Sequence, residues 1–201
     1  MNNNVFINCP FDDEYKDLFD AVLFTLYFCE CKPRCALEID NGLQNRLDKI
    51  CKIIGECDLG IHDISRTELN ANLLPRFNMP FEFGIFFGAK IYGGKNQKAK
   101  MCLIFDKEKF RFQEFISDIS GQDIKAHSNN YKEIITEIRH WINSLGININ
   151  LPGSVAIISN YESYLKARSQ ILLGLNRTEE DYSQYADKTQ IIEEWIKQKP
   201  I

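Results

Sequence analysis

The chain has 201 residues, 44% of them apolar and 12% aromatic, which suits one domain, or one domain with an appendage, and makes disorder the wrong default. Its formal net charge of −4 argues against a nucleic-acid binder that works by neutralising phosphates, although a cleft with a few donors still takes a nucleotide. Apolar runs such as 21–28 fall far short of the roughly 20 residues that span a bilayer, Met1-Asn2-Asn3-Asn4 does not open a signal peptide, and seven cysteines without a regular framework read as reduced thiols, so a soluble, cytoplasmic protein is expected.

Val5-Phe6-Ile7-Asn8 is a β-rich run that stops at Pro10. From Asp13 to about Cys31 apolar residues recur at helical spacing (Leu18, Ala21, Val22, Leu26), with Asp12 or Asp13 as the N-cap. Residues 35–39 predict a second strand. A second helix over about 45–57 groups Leu47, Ile50, Cys51 and Ile54, and Leu59–Asp63 predicts a third strand. A polar loop over 65–78 leads into a third helix that opens at Met79-Pro80, where proline suits a first turn, and ends at Gly93-Gly94. Residues 101–105 form the clearest strand. A helix near 107–117, a short segment at Ile124–Ala126 and a helix over 130–145 follow, and past Pro152-Gly153 come helical stretches at 161–173 and 179–198.

Strand–helix alternation in units of roughly 30 residues implies parallel strands joined by right-handed crossovers. The expected fold is α/β: a flavodoxin-like, doubly wound parallel sheet of about five strands over 1–146, with a helical C-terminal extension over 147–201.

In such a sheet ligands bind beyond the carboxyl ends of the strands. Glu82 then lies in the first turn of the third helix and can project into the cleft; Phe81 and Phe83 would dry it, while the helix N-terminus opposes the resulting rise in pKa. A first-turn acid can equally be a simple helix cap. Asp63, at a strand end, could hold a ribose hydroxyl or act as a second acid, or cap the loop at Ser65 through an Asx turn. Asn8, Asp12 and Arg46 are candidate substrate contacts, joined by the loop residues Ser65, Arg66, Arg76, Phe77 and Asn78; the two arginines suit phosphates or simply face solvent. Cys29, Cys31, Cys35, Cys51, Cys57 and His62 contain no C-x-x-C pair, so no metal site is expected. Cys9 lacks a Gly-rich phosphate loop that would activate it. His127 and His140 show no obvious partner.

Residues 57–65, then Phe81-Glu82-Phe83-Gly84 and Gly88-Ala89, resemble two related groups: the Toll/interleukin-1 receptor (TIR) domains and the nucleoside 2-deoxyribosyltransferase-like proteins. Val5-Phe6-Ile7-Asn8 looks like the opening strand of the first group, and Pro10-Phe11 like a segment of the second. The likeness spans residues 5–105. It implies that Glu82 is the nucleophile or oxocarbenium-stabilising carboxylate in cleavage of an N-glycosidic bond. The second acid usual in the transferases is missing, since the corresponding region reads Arg76-Phe77-Asn78, and so is the S-x-W-C usual in TIR domains.

A neutral base needs a general acid to leave, so two carboxyl groups are expected for it. Nicotinamide departs from NAD already cationic on nitrogen, and one carboxylate suffices. The expectation is therefore a hydrolase-type enzyme that uses NAD or a related nucleotide as substrate, needs no cofactor, and hydrolyses, cyclises or transfers. Acting as a homo-oligomer or with a defence-system partner, in bacterial antiviral defence, is implied by the resemblance alone. No nucleic-acid or membrane partner is expected. Two alternatives stand: a non-catalytic nucleotide sensor or TIR-type adaptor, and a receiver-like phospho-acceptor with Asp63 as the acceptor.

Overall fold

The computed structural model describes residues 2–69, 73–146 and 150–198. Its elements run β1 (Asn4–Asn8), α1 (Lys16–Phe28), β2 (Lys32–Arg34), α2 (Arg46–Glu56), β3 (Leu59–Asp63), α3 (Asn78–Tyr92), β4 (Met101–Asp106), β5 (Ile124–Ala126), α4 (Tyr131–Ser144), α5 (Ser154–Gly174), α6 (Glu179–Ser183) and α7 (Tyr185–Gln198). All strand pairings are parallel and the order is β2-β1-β3-β4-β5. This is the flavodoxin-like order, whose direction of winding reverses between β1 and β3.

Several local readings differ, among them the N-cap of α1, which is Tyr15 and not Asp12 or Asp13. β2 lies at Lys32–Arg34 and not at 35–39: α1 ends at Phe28, Glu30 turns the chain with φ 59, and Lys32 falls directly opposite Asn4. The segment 107–117 is not a helix, because Phe110 takes a left-handed φ of 64 and only short 3-10 turns follow at Arg111–Glu114 and Ser117–Ile119. The last helical stretch is divided at Gln184, whose extended backbone separates α6 from α7. On α2, Asn45 caps the first turn, and Ile50, Ile53 and Ile54 face the core while Leu47 and Cys51 face outward.

Strand parity sorts the core. Val5, Ile7, Leu59, Ile61, Leu103 and Phe105 point to the side covered by α1 and α4. Phe6 points to the other side, against Phe86 of α3 and Ile50, Ile53 and Ile54 of α2. The core strands are buried on both faces, as parallel strands between helical layers require. Gly60 sits where β3 passes closest to α3; a Cβ there would meet His62 Nε2 at 2.8 Å and Phe86 Cζ at 2.9 Å. Gly60→Ala is therefore expected to cost about 1–3 kcal/mol through overpacking, measured as a lower urea midpoint with an unchanged slope.

The helices after residue 150 pack on the α1 side. Tyr161, Tyr164, Leu172, Tyr182, Ile191 and Ile192 join the same continuous core as β1, α1 and α4. Sandwiched between sheet and outer helices, α1 is buried almost all round, and Asp20 in its middle is 1% exposed. Its carboxylate pairs with Lys188 of α7, accepts from the Tyr182 hydroxyl at 3.0 Å and lies 3.6 Å from Arg168. Tyr164 in turn donates to the Tyr182 oxygen at 2.9 Å. The expected boundary after Gly146 abuts residues 147–149, which lie outside the described ones. Among the described residues no helix is long and apolar enough to cross a membrane.

Candidate functional site

The carboxyl ends of β1 and β3 flank the reversal of winding, and the start of α3 lies against them. Asn8, the last residue of β1 and 2% exposed, donates through Nδ2 to the Met79 carbonyl at 2.7 Å and lies 3.2 Å from His62 Nδ1. That bond fastens the first turn of α3 to the sheet and so sets where Glu82 sits. His62 is enclosed by Phe6, Phe83 and Phe86, and burial lowers its pKa to about 3, so the ring is neutral and its Nδ1 can accept.

Glu82 is 8% exposed and accepts no hydrogen bond from any described residue. Burial holds its carboxyl above the ordinary range, while the Arg46 guanidinium pulls the other way. Helix capping does not account for it: the N-cap is Phe77, and Glu82 lies in the second turn, facing inward. Of its two flanking aromatics, Phe83 is buried, whereas Phe81 is exposed.

Asp63 has a different environment. Strand parity turns it to the α1 and α4 side, where it accepts from the Tyr15 hydroxyl at 2.5 Å and the Ser65 N–H at 2.8 Å, and pairs with His127 Nε2 at 3.2 Å. His127 Nδ1 accepts from the Asn129 N–H at 3.0 Å, which leaves Nε2 to carry the proton toward Asp63. Burial alone would raise the Asp63 pKa, but the bonds from His127, Ser65 and Tyr15 outweigh it and hold the group below its usual range. The Asx turn at Ser65 is present, and both carboxylate oxygens are occupied. Tyr15 and His127 carried no sequence signal; each becomes a partner of Asp63 only through the fold.

Asp12 bridges the two loop arginines, one to each oxygen, with Arg66 Nη2 at 3.1 Å and Arg76 Nη1 at 3.0 Å, and also accepts from the Tyr15 N–H. Glu14 takes a second Arg66 contact at 2.6 Å. The loop is thus latched to the β1–α1 turn by charge, and part of it, residues 70–72, lies outside the described residues. Around this latch is a cavity of about 420 Å³ lined by Asp12, Glu14, Arg66, Glu68 and Arg76. A smaller one of about 120 Å³, lined by Tyr15, Ser65, Arg66, Lys107 and Asn129, adjoins it. Glu82 lines neither. Phe77, Asn78 and Arg46 are exposed around the start of α3 and α2.

Cys9 ties these groups together. Burial, then the fields of Asp63, Cys35, Glu82 and Asp12, push its thiol well above the ordinary range, so the sulfur is a poor nucleophile. Among the described residues no group of three or more His, Cys, Asp or Glu is placed to hold a metal ion. Comparison with known proteins adds nothing to these observations: no family model, curated protein or solved structure matches the chain.

Proposed function

We propose that this protein is an N-glycosidase-type enzyme that cleaves the base–ribose bond of NAD or a related nucleotide, with Glu82 as the acting carboxylate. The observation that carries the reading is Glu82 itself: nine-tenths buried, without a hydrogen-bond donor, and beside the winding reversal of a parallel sheet where ligands bind. A mostly buried carboxylate at this place is suited to stabilise positive charge developing on a ribose anomeric carbon. The Arg46 guanidinium favours the ionised form against the pull of burial.

The environment of Asp63 supports one substrate class over another. With its oxygens held by Tyr15, Ser65 and His127 and its pKa depressed, Asp63 is a poor proton donor to a leaving base. A leaving group that needs no proton, such as nicotinamide, fits a site with a single available carboxylate. Asp63 then serves as a positioning residue for the 65–78 loop. The 420 Å³ cavity beside that loop does not reach Glu82. The resemblance to TIR and deoxyribosyltransferase-like proteins agrees with this chemistry and brings bacterial antiviral defence as the biological setting.

The test is release of nicotinamide or free base, followed by mass spectrometry, on incubating the purified chain with NAD, NADP and a panel of nucleotides and deoxynucleosides. Wild type is expected to release nicotinamide, and Glu82→Gln to be slower by about 100-fold or more. Equal rates in the two proteins would remove Glu82 from the mechanism. A second reading, a non-catalytic nucleotide sensor, is favoured by one feature: a cavity of about 420 Å³ lies at the Arg66–Asp12–Arg76 latch and is not lined by Glu82. Thermal stabilisation by a nucleotide without turnover would select it.

A further inference from the structure

A helix that packs on a sheet from one side normally shows one apolar stripe. α3 shows two. The inward stripe is Met79, Glu82, Phe83 and Phe86, all buried. On the opposite side Phe77, Phe81, Gly84, Gly88 and Ile91 follow one another at intervals of four, three, four and three residues, the spacing of a seam between two helices. Along this outward side Phe77 is 61% exposed, Phe81 57%, Ile91 44% and Tyr92 89%. The two charged residues of the helix do not interrupt it. Glu82 is buried on the inner side, and the Lys90 ammonium is occupied by the carbonyls of Lys98 and Lys100.

The two glycines sharpen the point. A glycine in a helix interior is destabilising relative to alanine. Nothing in this chain requires either one, because a Cβ at Gly84 or Gly88 would meet no atom within 4 Å. Glycines earn a place on such a face when another backbone comes close.

We infer that the outer face of α3 is a self-association surface, on which a second copy of this chain packs its own α3 antiparallel across the Gly84–Gly88 groove. The register is self-complementary. Phe81 and Ile91 lie equally far from the midpoint of the two glycines, so a two-fold axis there sets Phe81 against Ile91 of the partner subunit and Gly84 against Gly88 of the partner subunit. Antiparallel helix dipoles and a charge-free seam remove the electrostatic cost of pairing like with like. A strongly charged partner would have to bury its charges unpaired here.

The area suffices. At roughly 200 Å² for a whole aromatic side chain, the exposed parts of Phe77, Phe81, Phe87 and Tyr92 present about 500 Å². That is more than half of the roughly 800 Å² per partner of a standard interface, before Ile91 and the glycine backbone are added. The inference does not depend on the proposed reaction, although the seam would also cover Phe81, the neighbour of Glu82.

The experiment is sedimentation velocity on the full chain from about 1 to 100 μM, a range that brackets a micromolar dimer. Wild type is expected to sediment as a monomer–dimer equilibrium. Phe81→Lys and Gly84→Leu are each expected to weaken association by about 100-fold or more, with helical circular dichroism unchanged. Gly84→Leu removes an interior glycine at an open position, so its monomer should melt no lower than wild type; loss of association therefore cannot be blamed on unfolding. A wild type that stays monomeric throughout, or a dimer that both substitutions leave intact, would overturn the inference.

Discussion

Asp20→Ala is expected to destabilise the protein by about 3–5 kcal/mol, the largest effect of any single substitution considered, while the pair Asp20→Leu with Lys188→Met recovers most of that loss. The Asp20 carboxylate is 1% exposed and the Lys188 side chain 4%, so removing the acid alone strands an ammonium between the Phe19 and Tyr182 rings with no carboxylate to pair it. It also deprives the Tyr182 hydroxyl of its acceptor. Burial raises the Asp20 pKa even against the pull of Lys188, which means that desolvation takes back much of what the pair contributes. Replacing both charges with apolar groups of similar size removes that penalty as well as the attraction, and so lands near wild type. Urea melts of wild type, Asp20→Leu, Lys188→Met and the double variant form the cycle, with Asp20→Ala measured beside it. A cost for Asp20→Ala below about 1 kcal/mol would mean that water reaches the Lys188 ammonium and solvates it in place of the carboxylate.

The second large effect joins function to stability. Glu82→Gln, expected to slow turnover by about 100-fold or more, is also expected to raise stability at neutral pH by about 1 kcal/mol or more, because it replaces a mostly buried carboxylate by a neutral amide of the same shape. The pH dependence has a definite sign. Burial raises the folded pKa of Glu82 above its unfolded value, so the folded chain binds this proton more readily. Wild type therefore gains stability relative to the variant as pH falls through the folded pKa, and the advantage of Glu82→Gln shrinks toward about pH 4, the ordinary carboxylate range. Urea midpoints of both proteins across that range measure it. A constant difference at every pH would show that Glu82 is solvated in the folded state and is not the dry carboxylate on which the proposed chemistry depends. Reactive carboxylates held at such a cost are the usual form of the trade between stability and activity.

The alternation of short β-rich runs with helical periodicity determined the fold class and the core strands β1, β3 and β4, because a parallel sheet between helices writes itself as local pattern. It also sufficed to place Asn8 and Asp63 at strand ends and Glu82 early in α3. The misplaced second strand and the absent helix at 107–117 arose where left-handed residues, Glu30 and Phe110, redirected the chain, and neither is a glycine or an asparagine that would announce it. What each candidate residue does was decided by tertiary structure alone. Strand parity and the approach of α1 and α4 gave Asp63 its partners Tyr15 and His127, across 48 and 64 residues of chain. The fold likewise closed Asp12 on Arg66 and Arg76, and left Glu82 buried with no donor. Periodicity is a property of neighbours in sequence, whereas hydrogen-bond partners and desolvation are properties of neighbours in space, and only the packed sheet brings those together.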